Sequence, residues 1–271
     1  MAPFENNAVV AQRVDVASGL MILRVSPKDW QLPPFKAGQY TVLGLPGSAP
    51  RAGLTDEESP APPSDKLIRR AYSIASSSVE NAYLEFYITL VRSGALTPRL
   101  FALGPGDGLW LSSKVVGLFT LGRVPDGHNV LLIATGTGIA PYMSMLRTHL
   151  ADIREPRIAV IHGARHSWDL GYHAELATMQ RLCRNFAYVP IVSDTQGESV
   201  TWKGRTGFIN EHWEKGALRE SLGFEPSQEN THVFLCGNPL MIEAMLGILR
   251  AEGYAEQTPQ APGNVHLERF W

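Results

Sequence analysis

A small antiparallel β barrel followed by a parallel α/β half is the fold class that this sequence predicts, on three observations. Residues 1–125 carry short β-rich runs broken by Gly and Pro: Leu20–Val25, Gln39–Leu45, Arg70–Ala75, Tyr83–Val91 and Leu109–Ser112. From Asp126 onward, compact apolar runs at Val130–Ala134, Ile158–His162, Tyr188–Val192 and Val233–Cys236 alternate with stretches of helical spacing. Val124-Pro125-Asp126-Gly127 is a turn signal where the pattern changes, which divides the chain into residues 1–125 and 126–271.

The first pattern suits a barrel or sandwich, because short strands separated by tight turns pair antiparallel with their neighbours. The second suits a parallel sheet, because each strand is joined to the next through a helix that covers a sheet face. Between them in character is the proline-rich stretch 47–65, with Pro50, Pro60, Pro62, Pro63 and the acidic run Asp56-Glu57-Glu58. It has no apolar periodicity with which to offset the cost of ordering, and a mobile surface loop is expected there.

Composition excludes several function classes. The 271 residues are 44% hydrophobic and 18% charged, enough for two modest domains. Twenty-four basic against 26 acidic side chains give −2, a poor footprint for holding nucleic acid by counterion release. No apolar run approaches the ~20 residues that cross a bilayer, and Met1–Val14 lacks the layout of a signal peptide, so a cytoplasmic protein with no membrane partner is expected. Cys183 and Cys236 are too few for a disulfide framework, a four-cysteine zinc site or an iron–sulfur cluster. No metal is expected, and redox chemistry would call for an organic cofactor. Residues 1–125 hold 12 basic and 10 acidic side chains, residues 126–271 hold 12 and 16, so the first part is suited to an acidic partner. Nothing demands more than a monomer.

Asn129–Ala134 runs as a strand into Thr135-Gly136-Thr137-Gly138-Ile139-Ala140-Pro141, and Tyr142–Leu150 then has helical spacing. Gly136 and Gly138 allow a close approach of backbone to a pyrophosphate, and Pro141 suits the first turn of a helix whose free N–H groups face it. Pro141 replaces the third glycine of the usual dinucleotide fingerprint. The next strand ends at His162-Gly163-Ala164-Arg165, where an acid would bind the ribose 2′-hydroxyl of NAD; Arg165 favours the 2′-phosphate of NADP instead. Arg205, in Lys203–Gly207, is a second cation in a glycine-flanked loop. Cys236-Gly237-Asn238-Pro239 ends a strand and opens the helix Leu240–Ala251, which places Cys236 where ligands sit in open α/β sheets.

In the first half, alternation puts Arg70 and Tyr72 on one face of a strand and Ala71 and Ser73 on the other. A guanidinium suits a pyrophosphate, a phenol ring suits stacking, and a hydroxyl can hydrogen-bond a ring nitrogen. Gly94-Ala95-Leu96-Thr97-Pro98 reads as a helix start with Thr97 as N-cap and Pro98 at the first helical position.

Together the motifs R-x-Y-S at Arg70–Ser73, G-x-L-T-P at Gly94–Pro98, T-G-T-G-I-A-P at Thr135–Pro141, C-G-N-P at Cys236–Pro239 and the aromatic end Phe270-Trp271 resemble the ferredoxin–NADP reductase superfamily, most closely its bacterial ferredoxin/flavodoxin–NADP reductases. The resemblance spans nearly the whole chain in the family's order. It implies an FAD-binding barrel followed by a Rossmann-like NADP domain with a C-terminal tail over FAD. It implies that Arg70 and Ala71 bind FAD, that Tyr72 packs on the isoalloxazine and that Ser73 hydrogen-bonds near flavin N5. Tyr87, Ile88 and Thr89 then line the flavin, Leu96 and Thr97 hold its phosphates, and Phe270 and Trp271 cover it. Thr135, Gly136, Thr137 and Gly138 contact NADP, with Thr137 also near FAD; Arg165 and Arg205 hold the 2′-phosphate; Cys236 and Gly237 lie by the nicotinamide. Ser73, Cys236 and Glu268, the last as a proton relay, are the implied catalytic residues. The implied reaction is reversible hydride transfer between NADPH and flavin N5, coupled to one-electron exchange with ferredoxin or flavodoxin. The rival readings are the reductase component of an oxygenase, a free flavin reductase, and a non-catalytic dinucleotide-binding module. Asp194 stands where family members often carry an Arg, and the 47–65 loop is longer than the family's.

Overall fold

The computed structural model describes residues 5–53, 55–150 and 157–269, so Phe270 and Trp271 lie outside the described residues. The chain divides into two compact units, one of Met1–Thr120 with Met143–Thr148 and one of Leu121–Tyr142 with His149–Trp271.

Unit 1 holds β1 (Ala8–Ala17), β2 (Leu20–Pro27), β3 (Tyr40–Pro46), β4 (Leu67–Ser73), β5 (Leu84–Thr89), the single turn α1 (Thr97–Leu100) and β6 (Gly108–Leu111). The strands form one antiparallel sheet in the order β4-β3-β6-β1-β2-β5. Its two end strands approach each other where the Ala75 N–H donates to the Glu85 carbonyl at 2.8 Å, which curls the sheet toward the expected barrel. Inward-facing Val10, Met21, Leu23, Leu43, Phe86, Ile88, Leu96 and Leu109 fill the interior. At the rim, buried Glu85 accepts from Arg24 at 2.7 Å and from Arg147 at 2.6 Å, so its charge is balanced from two sides. The Arg147 contact, with a further bond to the Ala75 carbonyl at 2.8 Å, is one reason Met143–Thr148 belong to this unit.

The described residues of the stretch 47–65 form no strand or helix, and several of them are hydrogen-bonded to the rest of the unit. Glu58 receives both Nη groups of Arg99 at 3.0 and 2.7 Å and pairs with Arg51 at 3.3 Å. Gly47 and Lys66, Ser48 and Ser64, and Ala52 and Pro98 are joined by backbone hydrogen bonds. A partly buried charge network, in which Glu58 and Arg99 stand 41 residues apart in sequence, holds the stretch together with Ala49 and Ala52, which pack against the barrel core.

Unit 2 holds β7 (Asn129–Thr135), α2 (Ala140–His149, shared with unit 1), β8 (Ile158–Ala164), α3 (His173–Leu182), β9 (Phe186–Val192), β10 (Arg205–Thr206), α4 (Ile209–Glu214), α5 (Arg219–Leu222), β11 (Thr231–Cys236), α6 (Pro239–Ala251) and β12 (Val265–Glu268). The sheet is parallel throughout, in the order β10-β9-β8-β7-β11-β12. Strands β7, β8 and β11 are buried along nearly their whole lengths, as strands covered on both faces must be. The order reverses direction at β7: the chain steps outward to β8 and β9, then returns to β11 on the other side. That makes the carboxyl ends of β7 and β11 a topological switch point, the place where such sheets bind ligands. No helix among the described residues is long and apolar enough to cross a membrane.

Candidate functional site

At the carboxyl end of the unit 2 sheet, β7 runs into a 3₁₀ turn, Gly136–Ile139, and then into α2 with Pro141 in its first turn. The two glycines of this turn do different work. Gly136 has φ +53 and open space where a Cβ would sit, so its Cα face is available to a ligand. Gly138 is required by packing: a Cβ there would lie 2.4 Å from the Cys236 carbonyl oxygen. The reciprocal contact comes from Gly237, at φ +129, whose Cβ would meet Thr135 Oγ1 at 2.3 Å. The turns after β7 and β11 are thereby locked together, and the Asn238 N–H donates to Thr135 Oγ1 at 2.7 Å. Asn238 also caps α6, its side chain accepting from the Leu240 amide at 2.8 Å, with Pro239 at the first helical position.

Two side chains that sequence reasoning did not single out brace this end. His162, fully buried on β8, is held through Nε2 to the Gly136 carbonyl at 3.2 Å; burial lowers its pKa to about 4, so the ring is neutral. The buried Tyr142 hydroxyl reaches the carbonyls of Ile133 at 3.0 Å and Phe234 at 2.8 Å, linking α2 to both strands. Each is a polar group facing a backbone carbonyl, which leaves no pattern in a linear sequence.

Cys236 is fully buried, and burial, with the Glu268 charge adding to it, holds its thiol well above the ordinary range. It is a neutral packing group rather than a nucleophile. Glu268 is its register partner on β12, so two of the three residues expected to be catalytic stand side by side. Ser73, the third, ends β4 in unit 1.

Arg165 follows β8 directly, with its side chain 74% exposed, and donates through Nε and Nη2 to Asp194 Oδ2 at 3.3 Å. Arg205 begins β10, opposite Ile191 of β9, and donates to Ser221 Oγ of α5 at 2.7 Å. Ile191 in turn pairs with Gly163 of β8, so the two arginines stand at the same end of the sheet.

In unit 1, Arg70 and Ala71 are exposed on β4 and Ser73 is buried at its end. Arg70 spends one N–H on its neighbour's carbonyl, Arg69 O, at 2.8 Å. Tyr72 is half-buried and packs edge-on against Phe86 with centroids 6.4 Å apart; burial raises its phenol above the usual range, against an opposing pull from Arg70. Tyr87, Ile88 and Thr89 stand on the end strand β5. Ile88 and Leu96 point into the barrel core and are almost fully buried.

The N-cap assignment is corrected: α1 is capped by Leu96, already in the right-handed helical region, with Thr97 as first helical residue. Thr97 Oγ1 instead exchanges hydrogen bonds with the Val91 N–H and C=O, both 3.1 Å, closing the Val91–Thr97 loop.

Residues 132–246 match the family model of the oxidoreductase NAD-binding domain. The flavodoxin/ferredoxin–NADP reductases of Shigella flexneri and Escherichia coli are each 33% identical to this chain over 239 residues, 88% of either sequence. Among solved structures, a ferredoxin NADP+ reductase from Neisseria gonorrhoeae with bound FAD and NADP superposes with TM-score 0.80 at 24% identity, covering 98% of this chain and 100% of that one. A cytochrome P450 reductase from Amycolatopsis superposes with TM-score 0.74 at 26% identity, covering 97% of this chain and 69% of that one. With the barrel, the parallel sheet and the paired glycine turns in place, this chain belongs to the flavodoxin/ferredoxin–NADP reductase family.

Proposed function

We propose that this chain is an FAD-dependent flavodoxin/ferredoxin–NADP(+) reductase, exchanging hydride with NADPH and single electrons with a small acidic carrier. Family membership over 88% of the chain supports it. The local observation that carries it is the glycine lock between the turns after β7 and β11, with Gly136 left open to a phosphate at the switch point of the sheet.

The residues present fit both dinucleotides. On β4 an exposed guanidinium, Arg70, neighbours a half-buried aromatic ring, Tyr72, and a hydroxyl, Ser73: the complement of a pyrophosphate, a flat ring and a ring nitrogen. In unit 2, Gly136 supplies an open Cα face, and Arg165 supplies an exposed guanidinium for a 2′-phosphate. FAD, when bound, supplies the redox ring that takes a hydride and gives up electrons one at a time.

The chain's own residues position and shield. Arg70 would hold the FAD pyrophosphate, Ala71 and Tyr72 would pack by the ring, and Ser73 would donate near N5. Tyr87, Ile88 and Thr89 would line the ring along β5, and Leu96 and Thr97 would meet the phosphates through backbone. Thr135–Gly138 would seat the NADP pyrophosphate, with Thr137 reaching toward FAD. Arg165 and Arg205 would take the 2′-phosphate, and Cys236 and Gly237 would lie by the nicotinamide, the neutral thiol adding bulk without charge. Glu268, beside Cys236, is the carboxylate placed to carry a proton. Units 1 and 2 would thus be the FAD and NADP parts. A monomer in the cytosol completes the proposal; the free thiols of Cys183 and Cys236 suit a reducing compartment.

The test is an anaerobic visible spectrum of the purified protein with NADPH added. A yellow protein whose band near ~450 nm bleaches with NADPH and recovers on adding oxidised ferredoxin or flavodoxin supports the proposal. A colourless protein that takes up no FAD overturns it, and FAD binding without turnover assigns a non-catalytic module.

A further inference from the structure

Strand pairing continues past the named ends of β8 and β9. The Ser193 N–H donates to the Ala164 carbonyl at 3.0 Å and the Asp194 N–H to the Arg165 carbonyl at 2.8 Å, so backbone geometry sets Arg165 and Asp194 side by side. Asp194 Oδ2 accepts from the Arg165 guanidinium at 3.3 Å and lies 4.0 Å from His166 Nε2, while Oδ1 accepts the Gln196 amide at 3.0 Å. The Gln196 amide, then Arg165, hold this carboxyl below its usual range, so it is charged at neutral pH. Two more carboxylates belong to the same turns: Asp169 accepts the His166 N–H at 3.2 Å and Glu198 the Ser167 N–H at 2.8 Å. Residues 164–170 and 193–198 thus carry three acids and one permanent cation, Arg165. The second expected cation, Arg205, is hydrogen-bonded to Ser221.

We propose that Asp194 is a specificity-determining residue for the adenosine ribose: it competes with a 2′-phosphate for Arg165 and offers an acceptor to a free 2′-hydroxyl. NADPH is therefore preferred over NADH only weakly in this chain. The inference rests on the NADP site proposed above. A dianionic 2′-phosphate must share Arg165 with an existing anion and approach further carboxylates, which repel it. A 2′-hydroxyl meets no such repulsion and can donate to the carboxylate, the arrangement by which acids select NAD. The ion pair is exposed, so the effect is one of moderate size that falls with salt.

The experiment is calorimetric titration of the holoprotein with 2′,5′-ADP and with 5′-AMP, for wild type, Asp194→Asn, Arg165→Ala and the double variant. Wild type is expected to prefer 2′,5′-ADP by less than about tenfold, and Asp194→Asn to raise that preference roughly three- to tenfold, mainly by tightening 2′,5′-ADP. In the Arg165→Ala background the Asp194 substitution is expected to keep only the part of its effect that comes from direct repulsion and from the 2′-hydroxyl, and so to be clearly smaller. An unchanged preference in Asp194→Asn, or a full effect persisting without Arg165, overturns the role of Asp194 while leaving the site standing. If wild type binds neither nucleotide, the site reading fails and this inference with it. Asp194→Ser, which removes the charge with a smaller side chain, must give the same direction and guards against a folding defect in one variant.

Discussion

Gly138 and Cys236 share a contact that admits no side-chain carbon: a Cβ on the glycine would sit 2.4 Å from the cysteine carbonyl oxygen and 2.8 Å from Gly237 Cα. Both obstacles are backbone, so nothing flexible can yield. Gly138→Ala is expected to push the turns after β7 and β11 apart, costing about 1–3 kcal/mol of stability and weakening NADP+ binding. Thermal unfolding with and without NADP+ checks it; a variant as stable and as well stabilised by NADP+ as wild type would refute the glycine lock.

Glu58 anchors the proline-rich stretch by accepting both Nη groups of Arg99, whose side chain is only 3% exposed. Arg99, by hydrogen bond and then by charge, holds this carboxyl below its ordinary 4.5. A depressed carboxylate contributes stability that is present above pH 4.5 and lost as pH falls through the lower folded value. Glu58→Gln leaves a buried guanidinium poorly balanced and is expected to cost roughly 3 kcal/mol at neutral pH, with the gap from wild type narrowing below pH 4.5. Chemical denaturation at pH 7 and pH 4 measures both.

His232 Nδ1 and His266 Nε2 lie 2.9 Å apart, a bond that needs at least one neutral ring. Burial, then the charges of His232 and Arg123, lowers His266 to about 4; burial and then His128 lower His232. Folded values below the ordinary 6.5 mean that the unfolded chain binds more protons between those limits. Stability is thus full above pH 6.5 and declines as pH falls toward about 4. Phe234, stacked on His266 at 4.2 Å, contributes no charge. His266→Phe is expected to flatten the slope of Tm between pH 6.5 and 5; an unaltered slope would remove this pair from the acid response.

Cys236, buried with a raised pKa, is expected to resist iodoacetamide at pH 7.5, whereas the partly exposed Cys183 is labelled. Peptide mass spectrometry of the native protein reads this directly. Labelling of Cys236 ahead of Cys183 would contradict its assignment as a packing group.

Much of this was legible along the chain. The core strands of the parallel half, the turn before α2, the Asn238-Pro239 helix start and the Arg70–Ser73 strand are short-range patterns of apolar runs, glycine and proline. Three strands escaped, β1, β10 and β12; β10 is only the pair Arg205–Thr206, expected as part of a loop. β1 has shifts of register between Val10 and Gln12 and between Asp15 and Ala17, which break the two-residue alternation. β12 is four residues at a sheet edge, too short to carry a period. Thr97 misled because a threonine before a proline looks like a cap wherever it stands, whereas its hydroxyl chose the Val91 backbone six residues upstream.

The sequence by itself determined the two fold classes, the positions of the phosphate-type turns and the family, because these rest on local backbone preference and on motif order. Only the tertiary structure decided that Gly138 serves the Cys236 turn, that Glu58 orders the proline-rich stretch through Arg99, and that Arg165 is already paired with Asp194. Each of these is a contact between segments 29 to 98 residues apart. Their energies depend on burial and charge balance at the meeting point, which neither segment carries alone.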